Sequence, residues 1–252
     1  MINVSSKVSK LVLAAGALAF MQIALGQTGT SLNDGDWPNI HGDESSQRYS
    51  PLDQVNADNV AQLEIAWRFS TRGFGTTTDF TNPSTPLEIN GILYANIGNT
   101  RNVVALDATS GQVLWLYRYQ EGDRFDQAPR KGAGRGVSYW TDGDSERIID
   151  VSAGYLLVSL DAKTGIPDPN FGNNGIVDLF VGLRNGDDPR YAYPEIGLSA
   201  PPLVMNNVIV VGAAHRGGGR PRSKFNTKGD VRGFDVHTGE LLWTFHTIPE
   251  EG

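Results

Sequence analysis

From Pro86 onward apolar and polar residues alternate in short runs, the period of strands with one buried face. Pro86-Leu87-Glu88-Ile89 and Ile92-Leu93-Tyr94-Ala95 flank Asn90-Gly91, a pair that tolerates positive φ and so predicts a two-residue hairpin turn. Gly136–Trp140 and Arg147–Val151 flank a turn holding Asp142-Gly143, and Pro202–Met205 and Val208–Val211 flank Asn206-Asn207. A repeat follows each pair. Ala105-Leu106-Asp107-Ala108-Thr109-Ser110-Gly111 continues to Trp115 and matches Gly233-Phe234-Asp235-Val236-His237-Thr238-Gly239 through Trp243, position for position. A third copy, Ser159-Leu160-Asp161-Ala162-Lys163-Thr164-Gly165, lacks the tryptophan and runs into Ile166-Pro167-Asp168-Pro169. Each copy reads as an apolar strand, an Asp that caps the turn amides, a Gly that takes positive φ, and an amphipathic strand. Trp is expected to fill the space between adjacent sheets. Four short strands per recurring unit predict an all-β fold of β-propeller blades. A two-sheet sandwich is the alternative, and three copies of one turn motif weigh against it.

The ring is expected to be incomplete. Leu63–Phe69, with Trp67, reads as the closing strand of a blade, yet residues 27–60 are turn-rich and polar and offer no sister strands. Propellers commonly close by pairing strands from both chain ends, which removes an exposed edge. The partners are therefore expected beyond Gly252, with about three blades plus a closing strand in the present sequence.

The first residues follow another logic. Lys7 and Lys10 precede an uncharged run from Leu11 to Leu25, and Ala24-Leu25-Gly26 offers small residues where a signal peptidase reads. Residues 1–26 are expected to be a secretory signal, with a retained anchor as the alternative, and 27–252 the propeller portion in the periplasm, in contact with the membrane or free of it. No later stretch is apolar enough to span a bilayer. The absence of cysteine excludes disulfides, thiolate chemistry and Cys-based zinc sites. A net charge of -7 argues against a nucleic-acid partner. Glycine, at 30 of 252 residues, exceeds the usual ~7 % and fits many tight turns. Phosphate-loop, zinc-protease and nucleophile-elbow motifs are missing, and His41, His215, His237 and His246 show no ligand spacing.

Asp36-Trp37-Pro38-Asn39-Ile40-His41-Gly42-Asp43, Gln47-Arg48-Tyr49-Ser50-Pro51-Leu52 and Asn56–Trp67 resemble the N-terminal signature of the quinoprotein alcohol and glucose dehydrogenases. Ser84-Thr85-Pro86-Leu87, Arg135-Gly136-Val137-Ser138-Tyr139 and the tryptophan-bearing repeats extend the likeness over residues 36–252. Ser199-Ala200-Pro201-Pro202 and Pro167–Gly172 are similar to the glucose-dehydrogenase-like branch. The resemblance implies an eight-bladed propeller that holds pyrroloquinoline quinone (PQQ), with a divalent ion such as calcium. It also implies oxidation of an alcohol or aldose sugar, with electrons passed to a membrane quinone or a periplasmic cytochrome.

PQQ carries three carboxylates on a flat tricyclic ring, so its site needs cations and hydroxyls at the rim. Arg135, inside the run Gly132-Ala133-Gly134-Arg135-Gly136, matches the family arginine that meets the cofactor, and Ser199 matches a cofactor-bonding hydroxyl. His215 and Arg216 fall where the family borders the quinone. Blander readings stand beside these: a solvated arginine, a strand-start hydroxyl, and a basic loop running through Arg216, Arg220, Arg222, Lys224 and Lys228.

The sequence also departs from the family. Gly217 stands where methanol-dehydrogenase-type members carry a calcium-binding glutamate, their adjacent cysteine pair is missing, and Pro83 replaces the Glu or Gln ahead of Ser-Thr-Pro-Leu. Asp142-Gly143-Asp144 reads as a hairpin turn, so no metal ligand is assigned. The catalytic base is expected beyond Gly252, and this chain alone is expected to have little activity. The rival function is a non-catalytic propeller that scaffolds envelope protein assembly; a solute-binding β domain is a third reading without a positive feature.

Overall fold

The computed structural model describes residues 35–77, 81–187, 193–216 and 225–249. Three antiparallel four-stranded sheets follow one another along the chain. The first holds β1 (Leu87–Ile89), β2 (Ile92–Ile97), β3 (Asn102–Asp107) and β4 (Val113–Tyr117) in sequence order. The second holds β5 (Ser138–Thr141), β6 (Glu146–Val151), β7 (Leu156–Asp161) and β8 (Ile176–Asp178). A two-stranded ladder, β9 (Ile196–Gly197) with β12 (Ala214–His215), interrupts the third, which consists of β10 (Leu203–Met205), β11 (Val208–Val211), β13 (Val231–Asp235) and β14 (Leu241–Phe245). One short helix, α1 (Asp123–Gln127), joins the first sheet to the second. These are three blades of an incomplete β-propeller.

Local chemistry sets the turns. Asn90 and Gly91 take φ of 52° and 81°, and β1 pairs with β2 directly across them. In each repeat an Asp carboxylate accepts a turn N–H: Ser110 N to Asp107 at 2.7 Å, Thr164 N to Asp161 at 2.8 Å, Thr238 N to Asp235 at 2.8 Å. Gly111, Gly165 and Gly239 follow with φ of 71°, 69° and 74°, a region that costs other residues energy.

Two of the indoles dock as expected. Trp67 donates its Nε1 proton to the Ala108 carbonyl (3.0 Å) and lies over Gly111, where a Cβ would stand 2.6 Å from its ring. Trp115 repeats this one blade along, with Nε1 to Ala162 O at 2.9 Å and its ring over Gly165. The turn glycines are thus required twice, for their φ and for the flat surface they offer the ring. The second seam differs because the third repeat has no tryptophan. Val177 and the fully buried Phe171 cover Gly239 instead, and Gly172 N donates to Thr238 O at 2.8 Å. Trp243 also departs from expectation. It lies over Gly233 of its own sheet and is 41 % exposed, since no neighbouring turn covers it among the described residues.

Two apolar cores fill the seams. Tyr94, Val103, Trp115, Ile148 and Leu160 are packed between the first and second sheets, and Trp140, Tyr155, Phe171, Ile209 and Phe234 between the second and third. Leu63–Phe69 is extended but belongs to no ladder among the described residues; Leu63 and Ile65 are exposed, while Trp67 and Phe69 anchor the segment by packing with Phe74 against Ile97, Val104 and Leu106. Residues 1–26 and Gly217 lie outside the described residues. No helix among the described residues is long and apolar enough to cross a membrane.

Candidate functional site

Antiparallel pairing sends the capped repeat turns to one end of every sheet. The opposite end collects the segment leading into each first strand and the link between each second and third strand. At that end the leading segments of the three blades are laced together by backbone. Thr85 N donates to Arg135 O (3.0 Å), and Arg135 N donates to Ser199 O (2.9 Å). The two residues singled out from separate stretches of sequence are therefore direct neighbours.

Glycine makes this approach possible. Gly134 and Gly136 have φ of 76° and 134°. A Cβ on Gly134 would stand 2.9 Å from the Arg101 Nε, and one on Gly136 would stand 2.9 Å from the Thr85 carbonyl oxygen. Arg135 itself is exposed, and among the described residues its guanidinium has neither a hydrogen bond nor an ion pair. Ser199 is half-buried, in the link between β9 and β10 rather than at a strand start, because the ladder of the third sheet begins only at Leu203.

His215 and Arg216 are placed differently. β12 pairs with β9 so that His215 faces Ile196, and the strand then runs away from Ser199. The His215 Nε2 meets the Thr227 carbonyl at 2.8 Å. Arg216 is held by Glu195 at 3.2 Å and donates to Gln127 O at 2.9 Å, so its charge is already engaged. Lys228 of the predicted basic loop donates its backbone N–H to Arg184 O, and residues 217–224 lie outside the described residues.

Beneath the Arg135–Ser199 pair lies polar machinery that the sequence did not announce. Arg101, from the β2–β3 link, is 1 % exposed, and among the described residues it donates only to backbone carbonyls, including Val151 O at 2.9 Å and Arg130 O at 2.7 Å. Beside it Asp150 is fully enclosed on β6. Its carboxylate accepts from Tyr119 Oη (2.8 Å) and Asn96 Nδ2 (3.1 Å), while the Asn96 Oδ1 is buried without a partner among the described residues. Burial raises the Asp150 pKa to about 6, and the neighbouring Arg101 charge only partly opposes this. A proton on Asp150 adds a donor to a cluster with an orphaned acceptor. No glycine run or motif signals these residues; the one available clue was a lone Asp inside an apolar strand, Arg147-Ile148-Ile149-Asp150-Val151.

The folded-state pKa of Asp150 lies above the unfolded one, so the native chain holds the extra proton between about pH 4 and about pH 6. The contribution of Asp150 to stability therefore falls as pH rises through that window and levels off above it. At roughly 1.4 kcal/mol per unit, the change amounts to ~2–3 kcal/mol. Asp150→Asn is expected to abolish this component, so that its urea midpoint rises relative to that of the wild type as pH goes from about 4 to about 6.

A pocket of about 200 Å³ flanks the site, bounded by Pro38, Ile40 and His41 of the leading segment, by Tyr139 of β5, and by Pro202 just ahead of β10 and Met205 within it. Among the described residues no three His, Cys, Asp or Glu converge as a cation site requires.

Three four-stranded blades docked through their turn glycines define a β-propeller, with the Arg135 and Ser199 backbones joined at one end. The comparisons with known proteins supply the particular family. Residues 37–252 match the model described as PQQ: glucose/ethanol/alcohol dehydrogenase, beta-propeller domain, and the chain belongs to that family. It is 31 % identical over 254 residues to the dehydrogenase subunit of the quinone alcohol dehydrogenase of Gluconobacter oxydans (strain 621H), covering 95 % of this chain and 30 % of the relative. It is 33 % identical over 230 residues to the quinoprotein glucose dehydrogenase of Escherichia coli (strain K12), covering 84 % and 27 %. Among solved structures, the quinohemoprotein alcohol dehydrogenase of Comamonas testosteroni superposes with a TM-score of 0.62 at 25 % identity, over 86 % of this chain and 28 % of that one. The chain thus spans under a third of the length of these relatives.

Proposed function

We propose that the intact protein oxidises an alcohol or an aldose sugar with pyrroloquinoline quinone, and that Arg135 and Ser199 hold a rim carboxylate of the cofactor. The observation that carries this reading is the Arg135–Ser199 backbone bond at 2.9 Å, which makes neighbours of a hydroxyl residue and an arginine whose guanidinium has no partner among the described residues. A guanidinium donates two parallel N–H bonds to a carboxylate, and charge-assisted bonds of this kind are about twice as strong as neutral ones. PQQ, when bound, supplies the two-electron acceptor that side chains lack. The residues of this chain grip and orient it. The glycine backbone of the 132–136 run lets the rim approach closely, and Val137 and Ala133, both buried, keep water from the underside.

His215 and Arg216 stand apart from this pair, held by Thr227 and Glu195, and are proposed as outer neighbours of the cofactor rather than as part of its carboxylate grip. The signal-like residues 1–26 fit export to the periplasm, where a membrane quinone or a cytochrome would take the electrons. The test is dye-linked reduction by the full-length protein with added PQQ and calcium, across a panel of alcohols and sugars. Substrate-dependent dye reduction is expected. No reduction with any substrate, together with no quinone absorbance in purified material, would point to a scaffold propeller and end this reading.

A further inference from the structure

We propose that Arg101 is a positioning residue, a guanidinium clamp that sets the Arg135–Ser199 pair from below. This rests on the function proposed above for that pair. Arg101 sits in the β2–β3 link of the first blade and reaches the second sheet and the segment that leads into the third. Its Nε donates to Gly132 O at 3.2 Å and its Nη2 to Arg130 O at 2.7 Å, both in the loop that leads to Arg135. Its Nη1 donates to Val151 O of the second blade at 2.9 Å and to Leu198 O at 2.5 Å, next to Ser199. One side chain therefore fixes the backbone on both sides of the Arg135–Ser199 bond.

Three further observations argue that this clamp is selected for position. The Arg101 side chain is buried, with no carboxylate within ion-pair distance among the described residues, an arrangement that is expensive in itself. Its backbone takes φ 57°, a left-handed conformation that non-glycine residues adopt only where the surroundings impose it. The loop it holds contains Gly132 and Gly134 at φ of 94° and 76°, and such a loop has much freedom to lose without a staple. Gly134 also leaves the space the guanidinium occupies, since a Cβ there would press on Arg101 Nε. A lysine would bring three donors from a point charge but not the planar fork these diverging carbonyls need.

The experiment uses the full-length protein and its Arg101→Met and Arg101→Lys variants, with two readouts. The first is the dissociation constant for PQQ, titrated by absorbance. A weakening on the order of 10- to 100-fold is expected for Arg101→Met, as for other supporting-shell residues, with a smaller loss for Arg101→Lys. The second is amide hydrogen exchange without cofactor. Faster exchange is expected at Thr85 and Arg135, while the Gly111 and Gly165 turns keep wild-type rates. Unchanged PQQ affinity in folded Arg101→Met would overturn the proposal. So would exchange that accelerates equally in all three sheets, or failure of both variants to fold, since either makes Arg101 a general stability residue. Wild-type protein that fails to bind PQQ would sink the functional reading instead, and the exchange pattern would still decide whether Arg101 sets the pair.

Discussion

Replacing Trp115 with alanine is expected to lower the stability of the chain by about 3–5 kcal/mol, the range for removing a large aromatic from a packed core. The indole is 8 % exposed and fills the seam between the first two sheets. It rests on the Cα of Gly165, faces the Tyr94 ring at a centroid distance of 6.0 Å, and donates to Ala162 O. Alanine would forfeit the buried apolar area and leave a cavity that neither sheet can close, because both are held by their own ladders. The lost hydrogen bond is a minor part of the effect, since Tyr94 Oη also donates to Ala162 O at 3.2 Å. Trp115→Phe should therefore recover most of the loss. Trp243→Ala, at a residue 41 % exposed, should cost far less. Urea midpoints of the three variants test the ranking; equal losses for Trp115 and Trp243 would contradict the seam geometry.

Arg135→Ala is expected to weaken PQQ binding by roughly 10- to 100-fold while leaving thermal stability close to wild type. A hydrogen bond to a charged group is worth ~1.5–3 kcal/mol, and each 1.4 kcal/mol is tenfold in affinity. The stability half of the expectation follows from exposure, because the Arg135 side chain has no protein partner to lose among the described residues. Only its backbone is structural, through the bonds to Thr85 and Ser199, and alanine preserves those. Arg216→Ala supplies the internal comparison. With Glu195 at 3.2 Å, that cation is already partly neutralised and should contribute much less to cofactor affinity. Added salt should reduce the wild-type advantage over Arg135→Ala, as screening of an exposed charge requires. Equal effects of the two substitutions would show that the exposed rim does not discriminate as proposed.

The repeats carried most of the fold in the sequence, because turn chemistry is local. Asp107, Asp161 and Asp235 cap their own turns within three residues, and Asn90-Gly91 closes its hairpin without help from elsewhere. The seams were legible only in part. Trp67 and Trp115 stand where indole spacing put them, but nothing nearby in sequence indicated that Phe171 and Val177 would replace the missing indole at the next seam. Phe171 belongs to an insertion after Gly165, and a side chain's partner across sheets is set by tertiary packing rather than by period. Leu63–Phe69 has a strand's pattern, yet a ladder needs a partner, and none stands beside it among the described residues.

The site divides the same way. Arg135 and Ser199 were found through family motifs, and the backbone bond between them is what local pattern could not supply. Arg101 and Asp150 went unnoticed because burial turns an ordinary arginine or aspartate into a consequential one, and burial belongs to the assembled blades. Asn96, Tyr119 and Asp150 come from three separate strands or links of two blades and meet only when the seam forms.

The clamp at Arg101 reads the main chain alone. Every residue type, proline included, presents a carbonyl oxygen, so this anchor is indifferent to which side chains decorate the loops it grips. Loops fastened in that manner can exchange their outward-facing residues while their backbone stays in place. Libraries that randomise Lys131 or Ala200, yet keep Arg101 and the glycines of the 132–136 run, should therefore yield a high proportion of folded members whose ligand preferences have drifted apart.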